Sequence, residues 1–227
     1  MTAAIVFVHG LYMTGAEAVF LRRRLGRDLG ARTHVFAYTA TAEDPDRVAD
    51  RLASRVAGLM AIPVAEGRPG DVHLVGHSFG GLLILRAIER AARRGAPLPP
   101  GRVVLLGSPV SGSGAAAALM RRPVLGRALG RSGAVLARAG FAGASIAGNG
   151  HDVGVIAGCR PMGLGRHFAH FHEPNDGTVA VRETQLAGAV DRIVLPVSHT
   201  GMLLSRRVAL EAACFLRQGR FSLTASS

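Results

Sequence analysis

The sequence predicts an α/β fold, with a mostly parallel sheet of about six strands and helices on both faces. Three observations predict it. Six short apolar runs, at 3–8, 33–38, 72–75, 102–106, 153–157 and 192–197, alternate with stretches of helical periodicity. Several of these runs are continuously apolar, which marks strands covered on both faces. At 227 residues and 48% hydrophobic content, the chain can bury the core of one domain.

Ala3-Ala4-Ile5-Val6-Phe7-Val8 reads as the first strand and ends at His9-Gly10-Leu11-Tyr12. Thr14 and Glu17 have capping-box spacing, and Leu21, Leu25 and Leu29 follow at helical intervals. A second strand runs from Thr33 to Tyr38. Asp44-Pro45 is a helix start with proline in its first turn. Val48, Leu52, Val56 and Leu59 give that helix its apolar face, and Pro63 with the 67–70 turn closes it. The strand at Val72 leads through Gly76-His77-Ser78-Phe79-Gly80-Gly81 into a helix to about Arg94. Gly95 and the prolines at 97, 99 and 100 stop it. The next strand, from Arg102 to Leu106, runs into Gly107-Ser108-Pro109. Residues 111–150 are rich in alanine, glycine and arginine and read as two or three short helices. A strand at Val153–Ala157 precedes a loop through His167, His170, His172 and Glu173 to Asn175-Asp176-Gly177-Thr178. A short helix, the strand from Arg192 to Val197, Ser198-His199-Thr200-Gly201 and a helix from about Met202 to Leu216 complete the domain. It spans 1–217, with 111–150 as an insertion, and 218–227 reads as a flexible tail.

Composition narrows the possible roles. The net charge is +12, and all 27 basic residues are arginine. That uniformity matches the codon bias of a GC-rich genome. The arginines are scattered and carry little aromatic interleaving, so no nucleic-acid partner is expected. No apolar run approaches bilayer length. The N-terminus enters a strand almost at once, so no secretory signal is expected. Cys159 and Cys214 form no disulfide framework and are read as reduced thiols filling the core of a cytoplasmic protein.

The reactive centre is read from Gly76-x-Ser78-x-Gly80 between a strand-like and a helix-like run. A strand reversing directly into a helix strains its middle residue, and the positions two away must lack side chains. Ser78 then stands clear of the sheet beside the positive end of a helix. A serine hydroxyl is a weak nucleophile and needs an imidazole held by an acid. In parallel sheets reactive groups sit at the carboxyl ends of strands. His199 alone follows a late strand at that end, and it is the expected base. His34 and His73 lie inside strands, and the His77 side chain is expected to point away from the serine. Asp71, Asp152 and Asp191 precede their strands, at the opposite edge. Asp176 is the expected acid, with Glu173 the rival in the same loop. The oxyanion donors are expected to be the backbone N–H groups of Phe79 and Leu11. His9 is expected to brace the turn after the first strand, and Tyr12 either lines a pocket or packs. The spacing of His167, His170 and His172 suits neither a helix face nor a common finger, so no metal is expected.

Three features together carry a family resemblance: His9-Gly10 after the first strand, Gly76 to Gly81, and Asp176-Gly177-Thr178-Val179 followed by His199. The sequence resembles a small α/β-hydrolase of the lipase and esterase type. The resemblance covers nearly the whole chain, apart from 111–150 and the tail. It implies that Ser78, Asp176 and His199 form the triad, in the chain order of that family. It also implies acyl transfer through an acyl-enzyme, with a small carboxylic ester as substrate and no cofactor. The chain begins at the strand bearing the His-Gly turn, so two strands of larger members are missing. The insertion falls where the family places its cap and reads either as a mobile cover over an acyl pocket or as extra helical packing. Arg121, Arg122, Arg127 and Arg131 bring an anionic lipid surface into view as a contact, against a solvated face. Thioester cleavage or acyl transfer by the same triad is the alternative, as is a non-catalytic binding protein on the same fold.

Overall fold

A computed structural model describes residues 2–61, 71–137, 150–162 and 173–223. The six strands are β1 (Thr2–Val8), β2 (Arg32–Phe36), β3 (Asp71–His77), β4 (Gly101–Leu106), β5 (His151–Gly158) and β6 (Asp191–Leu195). They form one sheet in the order β2-β1-β3-β4-β5-β6, and every neighbouring pair is parallel. The register pairs Val8 with Gly76, His77 with Leu106, Leu106 with Ile156 and Gly158 with Leu195. The chain therefore leaves five adjacent strands along one common edge.

The continuous apolar runs are explained by two cores, one on each face of the sheet. Val6, Val8, Leu74 and Leu105 pack on one face with α2 (Pro45–Met60) and α3 (Phe79–Arg93). Ile5, Phe7, Val75, Val104 and Ile156 pack on the other with α1 (Val19–Leu29) and α7 (Arg206–Gln218). Successive residues of a strand face opposite ways, so each core claims every second residue of the same strand.

Helix starts follow local chemistry. The Asp44 carboxylate accepts from the N–H groups of Asp46 and Arg47 at 2.9 and 3.1 Å, with Pro45 in the first turn. Glu17 accepts from Thr14 N–H at 3.4 Å and Gly15 N–H at 2.8 Å, but the pair opens a short 3₁₀ turn, Ala16–Ala18, ahead of α1. The last helix is likewise divided. Gly201–Leu204 is a 3₁₀ turn, and the Ser205 hydroxyl accepts from Val208 N–H at 3.3 Å to begin α7. The insertion holds α4 (Gly114–Met120), α5 (Pro123–Ala128), a 3₁₀ turn (Gly130–Ser132) and α6 (Gly133–Ala137).

The tail differs from expectation. Residues 218–223 are anchored by carboxylates rather than free. Phe221 is buried against Phe215, its N–H donating to Asp191 Oδ2 at 2.8 Å. Ser222 donates to the buried Glu211 through both its N–H, at 2.8 Å, and its hydroxyl, at 2.7 Å. Asp191, at the edge of the sheet remote from the reactive centre, thus has a structural task. Residues 224–227, Pro63, the 67–70 turn, 138–149 and the triplet His167, His170 and His172 lie outside the described residues. Cys159 and Cys214 are free thiols and half-buried rather than core fillers. No described helix is long and apolar enough to cross a membrane.

Two predictions follow from packing and charge. A β-carbon on Gly80 would fall 2.1 Å from the Val8 carbonyl oxygen, a backbone atom that cannot swing away. G80A is expected to lose about 2 kcal/mol or more of unfolding free energy in a urea titration. The second prediction concerns Asp50. Arg90, and after it Arg94, hydrogen-bond the Asp50 carboxylate and hold its pKa down from 3.8 to about 2, joining α2 to α3. A depressed carboxyl pKa stabilises the fold above the unfolded value and loses that contribution as pH falls through the folded one. D50N is therefore expected to cost under about 1 kcal/mol at pH 7. The difference from wild type should shrink between about pH 4 and pH 2, as read by thermal melts across that range.

Candidate active site

β3 delivers the chain to Ser78 in a conformation few residues adopt. Ser78 has φ 54° and ψ −122°, and its N–H donates to the Leu106 carbonyl at 2.9 Å. Tyr12, at φ 59°, is the other non-glycine residue with positive φ among those described. Each such residue costs on the order of 1–3 kcal/mol, and both sit on one cavity. The glycines flanking Ser78 permit the reversal. A β-carbon on Gly76 would lie 2.6 Å from Gly81 Cα, and the corresponding clash at Gly80 is tighter still. Ser78 is half-buried and lines the cavity, and its hydroxyl has no hydrogen-bond partner among the described residues.

Asp176 stands beyond the end of β5 in a tight turn. The Asp176 Oδ1 atom accepts from Thr178 N–H at 2.9 Å and Val179 N–H at 2.7 Å. Its Oδ2 accepts from His199 Nδ1–H at 2.7 Å, and its carbonyl accepts from His199 N–H at 2.9 Å. Asp176 is 1% exposed and His199 8%, so this pair is shielded from water. A carboxylate on Nδ1 fixes the tautomer and leaves Nε2 with a lone pair to accept a proton. The rival, Glu173, turns outward to pair with Arg182. Gly107, after β4, joins the two halves of the site. It follows the residue that receives the Ser78 N–H, and a β-carbon on it would lie 3.0 Å from Asp176 Oδ2 and 3.2 Å from His199 Nδ1.

The loop after β1 packs against the serine. A β-carbon on Gly10 would lie 3.1 Å from Ser78 Cβ. His9 braces this turn, its Nδ1–H donating to the Gly10 carbonyl at 2.9 Å. The His9 ring stacks on Tyr38 at 4.2 Å, and the Tyr38 hydroxyl donates to the His9 carbonyl at 2.6 Å. The N–H groups of Leu11 and Phe79 have no partner among the described residues. Phe79 opens α3, where the first turn leaves its donors free. Tyr12 is 68% exposed, lines the cavity, and donates its hydroxyl to the Ala128 carbonyl at 2.6 Å.

His77 is the neighbour that sequence reasoning passed over. Its ring ends against His199. Its Nε2–H donates to the His199 carbonyl at 3.0 Å, and the two ring centroids lie 4.6 Å apart. Burial, reinforced by the adjacent His199, pushes the His77 pKa down to about 3, so the ring is neutral. Periodicity could place the ring on the far side from the serine but could not say which loop met it there.

The cavity has a volume of about 310 Å³ and runs from Ser78 under the insertion. Leu119, Leu129, Leu136 and Ala116 come from the insertion; Leu11, Pro109 and Val179 come from the body. The insertion is tied to the body at its start and at its middle. Ser111 donates its hydroxyl to the Gln185 carbonyl at 2.6 Å, and Gly114 N–H donates to the buried Glu183 at 2.7 Å. Arg131 N–H donates to the Thr41 carbonyl at 3.1 Å, and the Ser132 hydroxyl to that of Ala40. Ala116, Leu129 and Leu136 join the main core. The described part of the insertion, residues 111–137, thus packs on the core and roofs the cavity. Among the described residues no cluster of metal-ligating side chains occurs.

Comparison with known proteins bears on the fold. A lipase, BlEst2, of Bacillus licheniformis in its mature form is 20% identical over 96% of this chain and 92% of its own, with a TM-score of 0.72. RedJ, a thioesterase of the prodiginine pathway of Streptomyces coelicolor, is 14% identical over 96% of this chain and 85% of its own, with a TM-score of 0.57. An esterase of Pyrobaculum calidifontis is 16% identical over 95% and 76%, with a TM-score of 0.59. At these identities the likeness is one of fold. No curated protein matches the chain in sequence. The profile of the alpha/beta hydrolase family, however, matches residues 5–190, which include Ser78 and Asp176, and the chain belongs to that family.

Proposed function

We propose that the protein cleaves carboxylic esters by way of a serine acyl-enzyme. The observation that carries this reading is the buried 2.7 Å bond from His199 Nδ1–H to Asp176 Oδ2, at the sheet edge where Ser78 is held in strain. Ser78 Oγ attacks the ester carbonyl while its proton passes to His199 Nε2, and Asp176 stabilises the imidazolium that results. The N–H groups of Leu11 and Phe79 receive the negative charge that develops on the carbonyl oxygen. His199 then gives its proton to the leaving alkoxide, and water repeats the sequence on the acyl-enzyme to release the acid. No Ser78–His199 hydrogen bond occurs among the described residues, and such catalytic bonds commonly tighten only in the substrate complex.

The cavity supports an apolar acyl group. Its volume is near the lower end of small-molecule sites, which span about 300–1,000 Å³. Among the described residues no charged side chain lines it. A medium straight acyl chain fits this description, and a long triglyceride does not. The free thiols of Cys159 and Cys214 suit a reducing, cytoplasmic setting. The fold likeness to the RedJ thioesterase supports a second reading, thioester cleavage by the same three side chains. Matched oxygen and sulfur esters, assayed with and without an acceptor alcohol, separate ester cleavage from thioester cleavage and acyl transfer.

S78A is expected to lower kcat on p-nitrophenyl butyrate by about 10⁴-fold or more, and D176N by about 10³-fold or more, with the fold intact by circular dichroism. Undiminished turnover by S78A would remove the proposal. Across p-nitrophenyl acetate, butyrate, octanoate and palmitate, kcat/KM is expected to peak at butyrate or octanoate, as initial rates below micellar concentrations would register.

A further inference from the structure

We propose that His77 is a positioning residue that fixes the distance from Ser78 to His199. The inference rests on the ester-cleavage reading above. His199 is held by three hydrogen bonds among the described residues. Two run to Asp176: its N–H to the carbonyl at 2.9 Å, and its Nδ1–H to Oδ2 at 2.7 Å. The third is the 3.0 Å bond its own carbonyl receives from His77 Nε2–H. Asp176 stands on a loop beyond β5, remote in the chain from the nucleophile. His77 is the covalent neighbour of Ser78. Its ring is therefore the direct hydrogen-bonded link between the strand that carries the nucleophile and the loop that carries the base.

A second observation singles out the ring. His77 is wholly buried, and its Nδ1 has no hydrogen-bond partner among the described residues. That nitrogen faces Gly10, where a β-carbon would come within 3.2 Å of it. A buried acceptor without a donor is a cost that an apolar side chain would avoid, and such a group calls for a reason. The bond to His199 supplies one. The ring touches the base on one side and the loop of the oxyanion donor on the other. It is not itself assigned as a base for Ser78, since its Nε2–H is committed to the His199 carbonyl and no His77–Ser78 hydrogen bond occurs among the described residues. Without His77 Nε2–H, His199 and Asp176 stay paired but drift together relative to Ser78. A misplacement of about 1 Å in such a site can cost about 100-fold in rate.

The test compares wild type, S78A, H77F and H77Q by titration with a serine-directed phosphonate, then by kcat and KM on p-nitrophenyl butyrate. H77F keeps a ring without the donor, and H77Q restores an N–H at similar reach. The expected result is that H77F lowers kcat per titrated site by about 10- to 100-fold with KM within about twofold, and that H77Q recovers most of the loss. If H77F does not fold, H77N, whose amide falls short of the His199 carbonyl, carries the same expectation. A kcat per titrated site within twofold of wild type, with only the melting temperature lowered, would overturn the inference and make His77 a packing residue. Wild type left unlabelled, or hydrolysis indifferent to S78A, would instead overturn the ester-cleavage reading, so the two failures are distinguishable.

Discussion

The structure depends on one reversal of the chain, from β3 into α3 at Ser78. A residue with φ 54° and ψ −122° holds that conformation only where its surroundings over-determine it. Here the surroundings do so from three directions. The Ser78 N–H is bound to the last residue of β4, the loop after β1 passes so close that a side chain at Gly10 would meet its β-carbon, and α3 begins immediately with a wholly apolar first turn. The strain is thus supported by the sheet's own register. Neighbouring parallel strands end side by side, so segments that follow β1, β4, β5 and β6 are brought to the edge that carries the elbow.

That geometry also explains which acids are available. Asp71, Asp152 and Asp191 lie near the starts of their strands, and two of the three have visible structural work. Asp152 pairs with Arg102, and Asp191 receives the backbone of Phe221. Asp176 differs because its turn satisfies one oxygen with backbone N–H groups and turns the other to His199. A carboxylate fixed in this way cannot rotate to seek another partner. His77 is the last residue of β3, and its buried ring reaches the loop that carries His199.

The sheet, the elbow and the choice between opposite edges were legible in the sequence because each rests on local pattern. Continuous apolar runs report burial on both faces, and Gly76-x-Ser78-x-Gly80 reports a steric demand within five residues. What the pattern could not show was contact between distant segments. Nothing near Gln218 announces that Phe221 will stack on Phe215 or that Glu211 will receive Ser222. Nothing near Arg131 announces Thr41. The helix starts fall between these cases. Asp44 behaves as its local sequence directs, whereas Thr14–Glu17 and Ser205 each break what periodicity joins into one helix, since a cap acts on hydrogen bonds and not on apolar spacing.

The ties that hold the insertion decide how the cavity works. Its first turn is anchored by Glu183 and Gln185, which follow Asp176 by a few residues, and its middle is anchored at Ala40 and Thr41. Between those anchors α5 reaches the body through the Tyr12 hydroxyl on Ala128. Tyr12 is itself held in a strained backbone next to the oxyanion loop. The roof of the cavity and Asp176 therefore share one supporting segment, and the far wall shares its support with the loop after β1. Displacing the described part of the roof as a unit would break these hydrogen bonds. On the ester-cleavage proposal, the apolar walls supported in this way are what select the acyl group.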